Sequence, residues 1–135
     1  MTGIAGLILA AACGGPLVDA RDEQHYPTVA IGAQCWMARN LDHGALAPDA
    51  RPRDAAAVEK TCYDNDPESC RIYGGLYTWD EAKVACPAGW HLPTRGEWEA
   101  LAAHLGTAVA GERLKAGKDH VPPFDGTDDV GFTAL

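Results

Sequence analysis

The sequence predicts an α+β domain in which two short helices pack on a small antiparallel sheet. Residues 78–81 and 94–97 each spell a capping box, Thr-Trp-Asp-Glu and Thr-Arg-Gly-Glu. In such a box the Thr hydroxyl accepts from the third helical amide and the Glu reaches back to the cap amide. Between the boxes stands Cys86-Pro87-Ala88-Gly89-Trp90, a helix stop and a turn. Ahead of them, Val29 and Ile31 alternate with small residues up to Gly32-Ala33, the pattern of a strand entering a hairpin.

In chain order, the hairpin comes first. Val29 and Ile31 lie on one strand, Gly32-Ala33 is the turn, and Cys35, Met37 and Leu41 continue the second strand. Trp36 is expected in the core. Residues 42–60 are rich in Ala, Pro and Asp and read as a surface excursion with a helical turn over 55–59 and no chemistry. Residues 62–70, CYDNDPESC, read as a turn-rich loop closed by its own cysteines. The first helix starts at Thr78. Trp79, Ala82 and Cys86 recur at i, i+3 and i+7 and share one face. Pro87 ends it, because its ring and missing N–H break the ladder. Trp90-His91-Leu92 is extended, since Pro93 pushes Leu92 out of the α region. The second helix starts at Thr94, repeats Trp98, Leu101, Ala102 and Leu105, and stops at Gly106. Glu112 to Lys115 is a strand or a helix end. Residues 119–129 are loop, and Val130 to Leu135 read as a last strand.

Composition narrows the function. The chain has 135 residues, room for one domain, and 47% of them are apolar, enough for a core. It carries 19 acids against 11 bases, a net charge of −8, which argues against a nucleic-acid phosphate backbone as partner. Ser69 is the sole serine, so Gly-x-Ser-x-Gly is absent and a serine hydrolase is excluded. Histidines at 25, 43, 91, 104 and 120 form no His-Glu-x-x-His, and no phosphate-binding Gly-rich loop is present. His91 is read as a structural histidine. Glu97 and Glu99 suit the positive end of the second helix and are read as caps rather than as an acid/base pair. Asp64, Asp66 and Glu68 offer oxygens to Ca²⁺, but Pro67 and Cys70 stand where an EF-hand needs ligands and Gly. No cofactor is expected, and these three are the weak metal candidates.

Five cysteines without a Cys-x-x-Cys motif point to disulfides in an oxidising compartment, with one cysteine left over. Gly3 to Ala12 is an apolar run before Cys13-Gly14-Gly15, too short to span a bilayer. It resembles the end of a bacterial lipoprotein signal, in which the Cys is lipidated, although it lacks a basic leading region. The alternative is an ordinary apolar segment with a free Cys. The expected organisation is therefore a signal segment over 1–13 with lipid on Cys13, a polar tether over 14–24, and the domain over 25–135.

Two stretches carry a family resemblance. One is Thr28-Val29-x-Ile31-Gly32-x-Gln34-x-Trp36-Met37-Ala38-x-Asn40-Leu41. The other runs from Tyr73-Gly74-x-Leu76-Tyr77-x-Trp79 through Ala85-Cys86-Pro87-x-Gly89-Trp90-His91-Leu92-Pro93-Thr94 to Glu97-Trp98, and Gly126-Thr127-Asp128-Asp129 with Phe132 adds to it. Together they resemble the Fibrobacter succinogenes major paralogous domain, a bacterial cell-surface family of unknown activity. More distantly the second stretch is similar to the first half of C-type lectin-like domains, and its Leu-Pro-Thr-x-x-Glu-Trp run to the formylglycine-generating enzyme group. The resemblance implies a C-type lectin-like arrangement, incomplete at its C-terminus, with the hairpin, the Trp90 strand and the last strand in one sheet. Trp36, Thr78, Trp79, Glu81, Trp90, Leu92, Thr94, Glu97 and Trp98 are its structural motif residues. Apart from Cys13, four cysteines allow three connectivities. The favoured bridges are Cys62–Cys70, local across turn residues, and Cys35–Cys86, which would tie the hairpin to the end of the first helix, the alternative being that Cys35 and Cys86 are free and buried.

The function expected is a non-catalytic, lipid-anchored cell-surface domain that binds an external ligand, a polysaccharide or a surface protein. An enzyme derived from the formylglycine-generating fold and a purely structural envelope lipoprotein are the alternatives.

Overall fold

Gly32 and Ala33 close a tight hairpin between β4 (Thr28–Ile31) and β5 (Gln34–Met37). Gly32 sits at φ 60°, where a side chain is disfavoured. The computed structural model describes residues 4–5, 13–47 and 57–135. Within them β1 (Ile4–Ala5), β2 (Leu17–Val18) and β3 (His25–Tyr26) precede the hairpin, and β6 (Ala45–Leu46) and β7 (Glu59–Lys60) follow it. Then come α1 (Pro67–Tyr73), α2 (Trp79–Ala85), β8 (Trp90–His91), α3 (Arg95–Leu105) and α4 (Ala110–Leu114). The chain is α+β. Its main sheet has the order β4-β5-β1-β8, all antiparallel, beside an antiparallel β2–β3 pair and a parallel β6–β7 pair.

Consecutive strand residues point to opposite faces. Trp36 and Met37 are neighbours on β5 and both are fully buried, so the hairpin is covered on both sides. Trp36 joins Ile31, Leu101, Leu105, Ala110 and Phe132 in one core. Its ring lies 4.8 Å from Trp98 and 5.5 Å from Phe132. Met37 joins Tyr26, Leu41 and Ala85 in the other. Both predicted capping boxes form, at Thr78–Glu81 and Thr94–Glu97. Burying Leu101 and Leu105 on one side of α3 contributes roughly 1.5–3 kcal/mol each.

Several expectations are corrected. Residues 14–24 are not a tether: β2 pairs with β3, and Asp19 between them is 1% exposed. Ile4–Ala5, inside the stretch read as a signal, is a strand between β5 and β8, while residues 1–3 and 6–12 lie outside the described residues. The loop over 62–70 holds a 3-10 turn (Tyr63–Asn65) and most of α1, because Asp66 accepts from the Glu68 amide and Pro67 takes the first helical turn, where no N–H is needed. Glu59 lies in β7 rather than in a helical turn, and residues 48–56 are likewise outside the described residues. Leu41 is buried beyond the end of β5 instead of extending it.

The expected last strand is absent. Asp128 accepts from the Thr133 amide and hydroxyl, which folds Val130 to Leu135 into a turn with a single bridge, Lys115 to Ala134. Leu114 closes a short helix rather than a strand. Trp79 is 70% exposed, because α2 buries Ala82 and Ala85 and leaves Trp79 at its first turn facing water.

Candidate functional site

The β2–β3 hairpin is closed by Asp19 to Gln24, and this loop builds one wall of a cavity. Asp19 Oδ1 accepts from the Arg21 amide at 3.0 Å, a turn in which a side chain replaces a backbone acceptor. The Arg21 guanidinium then folds back on the same carboxylate, Nε to Oδ1 at 2.9 Å and Nη2 to Oδ2 at 2.7 Å. Nη2 also donates to the Ala85 carbonyl at 2.8 Å, which ties the loop to the end of α2. Asp22 repeats the turn by accepting from the Gln24 amide at 3.1 Å.

A second wall comes from residues 42–45. His43 Nδ1 lies 2.6 Å from Asp22 Oδ2. The Asp42 carbonyl accepts from Gln24 Nε2 at 2.8 Å and from Lys60 Nζ at 2.7 Å, and Lys60 also reaches Asp42 Oδ1 at 2.5 Å. Two tyrosines support this wall from below. The Asp42 amide donates to the Tyr26 hydroxyl at 3.2 Å, and the Tyr77 hydroxyl donates to the His43 carbonyl at 2.6 Å. Burial pushes both phenols up, Tyr77 far above its ordinary value, so each stays a neutral hydroxyl. Asp19 is held below the usual carboxylate range, chiefly by the Arg21 hydrogen bonds and against the effect of burial.

Asp80, Glu81 and Val84 of α2 face these loops across a cavity of about 950 Å³, with Ala45, Ala57, Val58 and Lys60 along its side. A smaller cavity of about 150 Å³ lies beside it, lined by Ala47, Thr61, Leu76, Tyr77 and Thr78, and shares Lys60 and Glu81 with the larger. The larger volume falls within the range of small-ligand sites. Donors and acceptors converge on it, and Asp22, Gln24 and Lys60 are fixed by partners on the 42–45 segment.

Asp19, Asp22 and His43 bring one ligand atom each to within 4.8 Å of one another. The donor set does not fit a cation. Arg21 already occupies both oxygens of Asp19, so a divalent ion would lie against a guanidinium. The cluster is the Asp19–Arg21 ion pair with His43 hydrogen-bonded to Asp22 beside it.

The residues singled out from sequence sit elsewhere or serve the fold. Asp66 caps α1, Glu68 pairs with Arg71, and Asp64 lies in the 3-10 turn, so these three do not converge on a metal. Cys62 and Cys70 are bridged. Cys35 is bridged to Cys13, not to Cys86. Cys86 is the free thiol, and burial raises it. The Cys13 sulfur is therefore spent and cannot also carry a lipid, because a thioether and a disulfide exclude each other at one sulfur. Trp36 is core, and Trp98, 40% exposed, packs against it with the rings tilted by 44°. Trp90 pairs in β8, half-buried, and Leu92 follows it. Glu97 takes His91 Nε2 at 2.9 Å as well as its Thr94 cap. Of the motif residues, Thr78 and Glu81 border these two cavities.

Asp19, Arg21, Asp22, Asp42, His43 and Lys60 were not legible as a site from local sequence. The one available signal was the repeat of Asx-turn geometry, Asp-x-Arg followed by Asp-x-Gln, between two apolar dipeptides.

The protein-family model of the Fibrobacter succinogenes major domain matches residues 29–135. The match takes in the His43, Lys60 and α2 walls of the cavity, while the Asp19–Gln24 loop lies ahead of it. No curated protein and no solved structure matches the chain.

Proposed function

The chain belongs to the Fibrobacter succinogenes major domain family, and from that premise we propose that it is a non-catalytic, extracytoplasmic binding domain of the cell envelope that holds an external ligand in the larger cavity. The cavity carries the reading: about 950 Å³, with convergent polar groups of the 19–24 loop, the 42–45 segment and Lys60 held in place by one another. Such preorganisation favours binding, because little side-chain freedom remains to be lost when the ligand arrives. Two disulfides support a location outside the cytoplasm, where such bridges persist. The Asp19 carboxylate is held by Arg21 and His43 Nδ1 by Asp22, which supports binding over proton transfer. Polysaccharides and surface proteins are the ligands to be tested.

The test uses labelled full-length chain on arrays of envelope polysaccharides and of surface-protein peptides. Val84, 65% exposed on α2, borders the cavity, so Val84→Arg fills its mouth without touching the core. The expected result is binding that Val84→Arg abolishes while the urea midpoint stays unchanged. Binding untouched by Val84→Arg, or no binding on either array, overturns the proposal.

A further inference from the structure

We propose that the ligand is an uncharged glycan chain, with several rings in the larger cavity and one ring in the smaller. This rests on the cavity being the binding site, as proposed above. The two cavities share Lys60 and Glu81, so one extended ligand can enter both. A cavity of about 150 Å³ is the size that accepts a single benzene-sized ring. Its walls include Tyr77 and the half-exposed Leu76, and apolar surface of this kind suits the C–H face of a sugar. The larger cavity offers the complement. Arg21 and Lys60 donate, and Asp22 and Asp42 accept, as hydroxyl groups require.

Charge decides between glycan classes and against an anionic peptide. Arg21 is neutralised by Asp19 and Lys60 by Asp42, so neither cation is left to hold a carboxylate or a sulfate. The chain as a whole carries −8, which repels anionic polymers. With both cations cancelled and Asp22, Asp80 and Glu81 also on the lining, the cavity suits a hydroxyl-rich ligand without acidic groups.

The experiment is calorimetry of the full chain with neutral gluco-, galacto-, manno- and xylo-oligosaccharides of two to six rings, their uronic-acid counterparts, and peptides of matching length. At least one neutral series should bind at least tenfold more tightly at four rings than at two, and then level off. Leu76→Asp should remove that gain, while Val84→Arg removes binding at every length. A neutral series whose affinity does not rise with length overturns the inference but leaves the binding reading standing. So does preference for uronic-acid oligomers or peptides that Val84→Arg abolishes. Absence of binding by every class overturns both.

Discussion

The guanidinium of Arg21 lies against the carboxylate of Asp19 with one nitrogen on each oxygen, at 2.9 and 2.7 Å. The two partners are unequally buried: the Asp19 side chain is 1% exposed and that of Arg21 33%. The pair therefore does two jobs. It removes the cost of an ion beneath the β2–β3 loop, and it fixes that loop to α2 through the Ala85 carbonyl.

Because of this asymmetry, Arg21→Ala should destabilise more than Asp19→Asn. Losing Arg21 strands a buried carboxylate, a cost of about 3–5 kcal/mol. Losing the charge on Asp19 leaves a guanidinium that can turn to water. Urea melts of the two variants check the ranking, and equal costs would mean that Asp19 has another route to solvent.

Acid should probe the second helix start. Glu97 is affected most by burial, which raises it, but Thr94 and His91 outweigh this and hold it below its ordinary value. A carboxylate depressed in the folded state contributes stability that is fully present above its unfolded value of about 4.3 and lost as pH falls through the lower folded value. The urea midpoint should therefore drop below about pH 4, and Glu97→Gln should flatten part of that slope. An unchanged slope would contradict the role given to Glu97.

The caps should rank in a defined order. Thr94→Ala and Thr78→Ala should each cost about 1 kcal/mol. Thr94 should be the worse, since its amide and hydroxyl donate to Glu97 at 2.7 and 2.8 Å, against 3.4 and 3.0 Å for Thr78 and Glu81. Arg95→Ala should be nearly neutral: it forfeits an exposed pair with Glu99 but removes a cation from a helix N-terminus. Chemical melts that place Arg95→Ala last would contradict these helix starts.

The capping boxes, the hairpin and the Trp90 strand were legible because each is written within a few residues, as a cap, a turn or a Pro. The sheet partner of β5 was not. β1 has two residues, and its pairing with both β5 and β8 is a long-range fact that no local period announces. The same holds for Phe132. Its apolar neighbours suggest a strand, yet the Asp128 turn delivers its ring to Trp36 without one. The cavity was hidden for a further reason. Asp19, His43 and Lys60 come from three segments, and each looks like ordinary surface charge until the fold brings them together. Residues 42–60, read as free of chemistry, supply two of the three.

Glycine is required at 126 by contact rather than by φ. A Cβ there would lie 2.1 Å from the Lys115 carbonyl oxygen and 2.6 Å from its carbon. Those are backbone atoms and cannot swing aside, so Gly126→Ala should cost about 2–3 kcal/mol. At Gly117 the nearest atom would be 3.5 Å away, an ordinary contact, and Gly117→Ala should be neutral or slightly stabilising. Thermal melts of the pair separate the two cases, and similar losses for both would contradict the close approach at 126.

The cysteines give the most direct check of the N-terminal half. Cys13 and Cys35 enclose a separation of 22 residues, and Cys62 and Cys70 one of 8. Loop-closure entropy makes the first bridge worth about 3.5 kcal/mol and the second about 2.5 kcal/mol. Digestion of oxidised protein without reduction should yield those two linked peptides and Cys86 as a lone thiol. That thiol should alkylate slowly near pH 8, because burial raises it and leaves little thiolate. Cys13→Ser should release Cys35 to the same reagent and cost more stability than Cys70→Ser. The bridge also excludes lipid on Cys13, so labelled palmitate should be incorporated equally by the wild type and by Cys13→Ser. A Cys35–Cys86 peptide, or palmitate lost on Cys13→Ser, would show that Cys13 is not bridged to Cys35, and residues 14–24 would then be held against the hairpin by the β2–β3 pairing and Arg21.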